Sequence, residues 1–334
     1  MCFPCTHHGQ LLLIARPRPH DVSPMESLKF FVKLIHNSWL SDPGPFFKAD
    51  AFPKLNGQKW LVTGATGGIG LEIAKVLAKL GAELWLVGRN PEKLAAAQQE
   101  LKSSTGNASI STLVIDYTDL ATVKPAVETL KQQTTSLNGI IHNAGVMNVP
   151  TGSKTEQGIE LTVGVNNVAT QLLQDLLDPL IVNVRNARIV WLSSLGHTLA
   201  PRGGFDLSVL ESRSPPAIYG MSKAWDYIQA VQWTLNHPES PVKSIAVHPG
   251  VIKSDLTRTS TWYERKIINL ISYDTHLGAL PPLYAALYPS AKNNDYIVPF
   301  GRPGPVRPDI YRAARGDEGI AVVRWIHEQL KNYE

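Results

Sequence analysis

Tyr219 and Lys223 stand four residues apart in YGMSK. On a helix that spacing puts both side chains on one face. A free phenol gives up its proton only near pH 10 and is a poor base at neutral pH. An ammonium held beside it favours the phenolate, which would make the pair a working acid/base; two ordinary surface residues would read the same way. A second string, TGATGGIG (Thr63 to Gly70), joins a strand-like run to a helix-like one. Gly64, Gly68 and Gly70 permit a tight turn and close approach of backbone to a ligand. The helix that follows offers free N–H groups to an anion. Position in a strand–turn–helix unit raises this string above a plain glycine turn, and points to a bound dinucleotide through Thr63, Gly64, Gly68, Ile69 and Gly70.

The next strand ends in VGRN. A carboxylate there would bond a free ribose 2′-hydroxyl, but the position holds Gly88 and Arg89. A guanidinium suits a 2′-phosphate, so NADP(H) is expected in preference to NAD(H). Gly67 brings no side chain, which leaves Arg89 as the basic residue assigned to that phosphate. The third strand ends in IDYTD, where Asp116 could bond an adenine amino group, with Tyr117 beside it.

These residues need a scaffold, and the chain supplies one. Strand-like runs (KWLVT, AELWLVG, ISTLVID, GIIHNAG, ARIVWLSS, VKSIAVHPG, DYIVPFG) alternate with helical patterns over 69–80, 91–102, 120–133, 156–177 and 217–235. A further helix is expected over 318–330, and the stretch between Gly250 and DYIVPFG shows no clear pattern. Such alternation predicts one doubly wound α/β domain of Rossmann type, mainly parallel, with its ligands at the carboxyl ends of the strands.

The 334 residues, 43% apolar and 18% charged, can bury a sizeable core. A net charge of +4 without basic runs argues against nucleic acid. Cys2 and Cys5 lie near His7 and His8, but no second half of a zinc site follows, and no metal is expected. No stretch reaches the roughly 18 apolar residues of a membrane span. Residues 1–24 read as a disordered leader, with Met25 a second candidate start. Residues 25–54 read as an extension and linker, and 55–334 as the main domain. Within the extension, residues 27–40 have helical apolar spacing; packing on the domain, a membrane surface or a homodimer contact would each use it.

TGATGGIG, HNAG (142–145), WLSS (191–194), YGMSK and HPG (248–250) occur in one order, and together resemble the short-chain dehydrogenase/reductase family over about residues 55–300. GGFDL, GVNNVATQLL and YIVPFG look most like its retinol-dehydrogenase-like branch. The resemblance implies Tyr219 as general acid/base and Lys223 as its charge partner and ribose ligand. It implies Ser194 holding the substrate oxygen and Asn166 helping to hold a relay water. Asn143 and Gly145 would shape the cofactor floor; Pro249, Gly250 and Ser254 would line the nicotinamide pocket. His142 replaces the usual Asn, and is read as a buried histidine with a local hydrogen bond. A cytoplasmic enzyme is implied, with peripheral membrane association allowed.

Residues 251–278 are expected to cover the substrate, with Trp262, Tyr263, Ile267, Ile268 and Leu270 either an apolar lid or plain helix packing. Residues 201–216 are expected as the opposite wall. A lipophilic or aromatic alcohol, ketone or aldehyde follows. Two other readings stay open: a nucleotide-sensing protein without turnover, and a reductase of C=C or C=N bonds.

Overall fold

The computed structural model describes residues 24–35, 52–211, 214–252 and 272–333. Its strands are β1 (Lys59–Thr63), β2 (Glu83–Gly88), β3 (Ile110–Val114), β4 (Gly139–His142), β5 (Arg188–Leu192), β6 (Lys243–Val247), β7 (Tyr296–Val298) and β8 (Arg302–Pro303). They form one eight-stranded sheet in the order β3-β2-β1-β4-β5-β6-β7-β8. All neighbours are parallel except β7 and β8. The chain begins in the middle, winds outward to β3, then crosses to β4 on the other side of β1. The carboxyl ends of β1 and β4 therefore flank the topological switch point, where such sheets bind ligands.

The inner strands β1, β2, β4, β5, β6 and β7 bury both faces, as parallel strands between helix layers must, while the edge strands β3 and β8 are partly exposed. Leu61, Ile140 and Ile189 join one core with Trp85 and Trp191. Their neighbours Val62, Ile141 and Val190 join the other, because successive side chains point to opposite sides. The helices are α1 (Pro24–Ile35), α2 (Gly68–Lys79), α3 (Pro91–Thr105), α4 (Val123–Lys131), α5 (residues 161–181), α6 (Pro215–Asn236), α7 (Leu280–Leu287), α8 (Pro308–Ala313) and α9 (Asp317–Leu330). In α3, Asn90 accepts from Lys93 N at 2.7 Å, Pro91 occupies the first turn and Gly106 closes the end at φ 72°.

Three elements differ from the sequence expectation. α5 starts at Leu161 rather than 156, because Thr155 to Ile159 close a tight turn and Glu160 caps the helix by accepting from Val163 N at 2.9 Å. Its second section, Gly164–Val168, is a π-turn, which holds Asn166 and Asn167. α7 lies in the stretch without a clear pattern: LPPLYAAL carries two prolines, but they fall in the first turn, where their missing N–H groups cost no bond. β8 is two residues long and antiparallel, too short to leave a periodic signal.

α1 packs through Phe30, buried against the His197 ring at 6.2 Å between centroids. Met25, Leu28 and Val32 on the same helix stay exposed. Residues 1–23, with the cysteine cluster, and 36–40 of the amphipathic segment lie outside the described residues.

Candidate active site

The switch point is latched by side chains. Thr63, the last residue of β1, accepts at Oγ1 from the backbone N–H groups of Asn143 (3.0 Å) and Ala144 (2.9 Å). Asn143 answers with Nδ2 to Thr63 O (2.9 Å) and Gly64 O (3.2 Å). This packing leaves no room above Gly70: a Cβ there would lie 2.3 Å from Gly64 O and 2.5 Å from Asn143 Nδ2. Gly64 and Gly68 adopt φ 64° and 55°, which glycine reaches without strain. The start of α2 is thereby pressed against the end of β1, and a cleft of about 420 Å³ opens over its first residues. Its lining includes Gly64, Gly68, Ile69, Arg89, Asn143 and Gly145.

Arg89 is exposed and reaches this cleft as expected. So does Lys93, one turn into α3, which the sequence reading missed. Its signal was the i, i+4 spacing from Arg89, hidden because Asn90 starts the helix between them. A smaller cavity of about 210 Å³ adjoins at the carboxyl ends of β2 and β3, lined by Gly88, Arg89, Asp116 and Tyr117 among others. Asp116 Oδ1 already accepts from Thr118 N (2.9 Å) and Thr118 Oγ1 (2.8 Å), which fixes its carboxylate in place. Tyr117 is buried, and burial raises its phenol above the ordinary value.

A third cavity, about 250 Å³, lies at the carboxyl ends of β4, β5 and β6. Asn143, Gly145, Ser194, Tyr219, Lys223, Pro249 and Gly250 all line it. It shares Ile69, Asn143, Gly145, Val146 and Met147 with the cleft over α2, so the two spaces are continuous. Tyr219 and Lys223 sit on α6 with the ammonium 5.8 Å from the ring centre. Lys223 is buried, and its Nζ donates to Leu192 O and to Asp226 Oδ2, each at 2.8 Å. Burial is the largest influence on it and would lower its affinity for a proton, but the charges of Asp226 and Tyr219 and the hydrogen bond to Asp226 together hold it raised. Burial also pushes the Asp226 carboxyl up, to about 6, against the pull of Lys223.

Ser194 Oγ accepts from Gly196 N at 3.0 Å. Gly196 was not singled out from the sequence, yet a Cβ there would come within 2.7 Å of the Tyr219 ring. Asn166 does not line the cavity. Its Oδ1 accepts from Val146 N (2.7 Å), and its Nδ2 donates to Val146 O (3.1 Å) and Ser222 Oγ (3.0 Å). Its amide braces the segment after β4 against α6, because Val146 and Ser222 consume its bonding capacity.

Behind Ser194 lies a buried polar network. Tyr296 of β7 donates to Ser194 O at 3.1 Å. His197 Nδ1 bonds the same carbonyl at 2.7 Å, and its Nε2 accepts from Arg307 N at 3.3 Å, which assigns the proton to Nδ1. The Arg307 guanidinium donates to Thr198 O, Ala200 O and Pro201 O (2.8, 2.8 and 2.6 Å) and to both Asp309 oxygens. Hydrogen bonds from Arg307 hold the Asp309 carboxyl below its ordinary value in spite of burial. His248 Nδ1 accepts from Leu195 N (3.1 Å) and Gly250 N (3.2 Å). His142 bonds Gln174 Oε1 at 2.8 Å, as expected of a buried histidine. Burial lowers His142 and His197 to about 4 and His248 to about 3.

On the substrate side, the expected opposite wall does not line this cavity among the described residues. Residues 201–204 turn away from the cavity: Gly203 N donates to Asp309, and Gly204 O accepts from Trp225 Nε1 at 2.7 Å. The described apolar lining is Val146, Met147, Leu192, Leu195, Val251 and Ile252 instead. Ser254 and the apolar residues 262–270 lie outside the described residues. Among the described residues, no cluster of three or more His, Cys, Asp or Glu could hold a metal.

A model of the short chain dehydrogenase family matches residues 58–264. The chain is 31% identical over 326 residues to a short-chain dehydrogenase/reductase of Phomopsis amygdali, covering 90% of this chain and 98% of that one. It is 31% identical over 316 residues to the short-chain dehydrogenase/reductase bet4 of Neocamarosporium betae, covering 87% and 91%. Among solved structures, an uncharacterized protein from Mycobacterium paratuberculosis superimposes with a TM-score of 0.63 at 24% identity, covering 83% of this chain and 97% of that one. A short chain dehydrogenase from Shigella flexneri 2a str. 301, complexed with NADP, gives 0.57 at 22% identity, covering 73% and 97%. At these identities the structural likenesses speak for the fold.

Proposed function

The chain belongs to the short-chain dehydrogenase/reductase family and is an oxidoreductase, and from that premise we propose that it interconverts an alcohol and a ketone or aldehyde with NADP(H), Tyr219 serving as general acid/base. The observation that carries this reading is the gathering of Ser194, Tyr219 and Lys223 around one cavity that runs into the glycine-floored cleft. The residues fit a dinucleotide: Gly64 and Gly70 let the start of α2 close on β1 and Asn143, where any Cβ would clash, open space lies over Gly67 and Gly68, and the cleft leads to Arg89 at one end and Lys223 at the other. Bound there, a nicotinamide dinucleotide supplies the hydride donor or acceptor.

The chain's own groups supply the proton and hold the oxygen. In the reducing direction negative charge grows on the substrate oxygen and needs donors. Ser194 Oγ, which accepts from Gly196 N, keeps its own hydroxyl hydrogen free for that oxygen. Tyr219 delivers the proton, and Lys223 favours the phenolate left behind. Asn166 acts by bracing Val146 beside the cavity. Thr63, Gly68, Ile69, Asn143, Gly145, Pro249 and Gly250 form the cofactor floor, with Asp116 on the adenine side. Ser254, close after Gly250 in the chain, is assigned to the nicotinamide side.

Arg89 and Lys93 on one cleft favour a 2′-phosphate, and the NADP in the Shigella flexneri relative fits that preference. The apolar walls suit a lipophilic or aromatic substrate, in keeping with the retinol-dehydrogenase-like branch. Met25, Leu28 and Val32 lie exposed beside exposed Lys29 and Lys33, which suits peripheral association of residues 27–40 with an anionic membrane surface. Flotation with anionic and neutral vesicles tests that point. Among the described residues no helix is long and apolar enough to cross a membrane. A cytoplasmic homodimer completes the reading, and sedimentation and cell fractionation test it.

The central test is Tyr219→Phe, assayed on a panel of apolar ketones with NADPH beside calorimetric cofactor titration. Turnover should fall roughly 100- to 10,000-fold, the range for a lost general acid/base, while NADPH still binds. Undiminished turnover in that variant would overturn the assignment.

A further inference from the structure

Asp226 belongs to α6, three residues after Lys223, and no motif draws attention to it. Its side chain is buried, and Oδ2 lies 2.8 Å from Lys223 Nζ. The other oxygen, Oδ1, accepts from Asn167 Nδ2 at 3.3 Å, out of the π-turn of α5. Asn167 in turn donates to Ser222 O and Gln229 Oε1, both at 3.0 Å. Gln229 Nε2 donates back to Asn167 O at 3.2 Å and onward to Gln171 Oε1 at 2.9 Å. The carboxylate is thus held from two helices.

An ammonium has three N–H donors. In Lys223 one is spent on Leu192 O at the end of β5 and one on Asp226. The third remains for the cavity that Lys223 lines. Without Asp226 the ammonium would have one protein anchor and a buried charge with no counter-ion, which proteins neutralise by shedding the proton.

We infer that Asp226 is a positioning residue for Lys223: it holds the ammonium charged and fixes which of its N–H groups faces the cavity. The inference rests on the catalytic role proposed for Lys223. The ionisable groups facing the pair are Tyr219 and Tyr227 on α6 and Tyr296 on β7; Asn167 and Gln229 face it as neutral partners. Burial opposes the charged Lys223 most strongly; Asp226, by charge and by hydrogen bond, is the larger of the two groups that raise it, with Tyr219 the other. Since Asp226 itself titrates near 6, the pair exists as an ion pair above that pH and loses its counter-charge below it.

The test is side-chain nitrogen NMR of the cofactor-free, ¹⁵N-lysine-labelled full chain, with the Lys223 signal assigned by its loss in Lys223→Met. In Asp226→Asn the Lys223 titration should move to lower pH by at least about one unit, because burial is then opposed by Tyr219 alone. The alkaline limb of the kcat profile should move in the same direction. Asp226→Glu should return both toward wild type, which a packing defect would not allow. A Lys223 titration unmoved in folded Asp226→Asn would overturn the inference. The wild-type chain gives a second arm that no folding defect can spoil: the Lys223 signal should shift as pH falls through about 6. A signal constant through that range would also overturn it. Because the NMR arms need no turnover, absence of reductase activity would count against the proposed function and leave this result intact.

Discussion

The two ends of the long cleft are built by different means. The nucleotide end is made of backbone: three glycines, a Thr63–Asn143 latch and a helix start, with Arg89 and Lys93 exposed at its rim. The catalytic end is made by side chains that bond one another and backbone carbonyls, mostly across long sequence separations. Arg307 reaches Thr198, Ala200 and Pro201; Tyr296 reaches Ser194; Asp226 and Leu192 share Lys223. A backbone cradle accepts any ligand with the right phosphates and fails when a Cβ fills it. A side-chain network fails when one member is left unpaired. The two ends should therefore break independently, in different observables.

The largest effect is expected at the catalytic end. Arg307→Met removes the donors to three carbonyls and leaves Asp309 without its charge partner, with 6% of that side chain exposed. Breaking such a buried pair costs roughly 3–5 kcal/mol. Denaturant unfolding should show that loss, and turnover should fall as the segment after Ser194 loosens, while NADPH affinity of the folded fraction holds. If stability is unchanged, the clamp is not what holds the 195–204 segment.

This division also explains what the sequence made legible. The glycine loop was readable because glycine is demanded by φ at 64 and 68 and by space at 70, and those demands act within eight residues. Tyr219 and Lys223 were readable because helical spacing is local. The inner strands were readable from their apolar runs, since both their faces are buried. Arg307, Tyr296 and Gly196 were not: their importance lies in partners a hundred residues away, or in a ring that packs on a missing Cβ. Asp226 hid for a related reason, since Lys-x-x-Asp on a helix is an ordinary surface pattern and only burial makes it consequential. Asn166 was legible as a residue of the long helix; that its side chain bonds Val146 and Ser222 was not, because both partners are distant in sequence.

At the nucleotide end the corresponding break is Gly70→Val. Overpacking costs roughly 1–3 kcal/mol where neighbours can yield. Here the nearest atoms are a backbone carbonyl and the latch amide, so α2 must back away from β1. Dinucleotide affinity should fall at least about a hundredfold by calorimetry, near 3 kcal/mol. Wild-type affinity in this variant would show that the ligand does not seat against Gly64 and Gly70.

A smaller effect should separate the rim from the cradle. Hydrogen bonds to a charged group contribute roughly 1.5–3 kcal/mol. Arg89→Ala should therefore weaken NADPH roughly ten- to a hundredfold and leave NADH nearly as it was. Lys93→Ala should act in the same direction with less force, since a lysine makes a point contact where arginine can bond twice. Parallel losses for both nucleotides would move Arg89 from phosphate reader to general electrostatics.

The mildest test concerns acid, and it sits where the two ends meet. His142 closes β4 just before the Asn143 latch, tilted by 34° against Trp191 with 4.6 Å between ring centres. Burial lowers it to about 4, against about 6.5 when unfolded. The depressed value means that the unfolded chain binds the proton more readily. The stability His142 confers is therefore complete above pH 6.5 and drains as pH falls toward 4, at about 1.4 kcal/mol per pH unit. His142→Asn cannot take up that proton, so its unfolding free energy should fall less steeply across the window, by one proton's worth of slope, whatever its stability at neutral pH. His197 and His248, both lowered and both at the catalytic end, keep the remaining slope. If the slope is the same with and without His142, the acid sensitivity belongs wholly to the catalytic end, and the border between the two ends lies on the nucleotide side of β4.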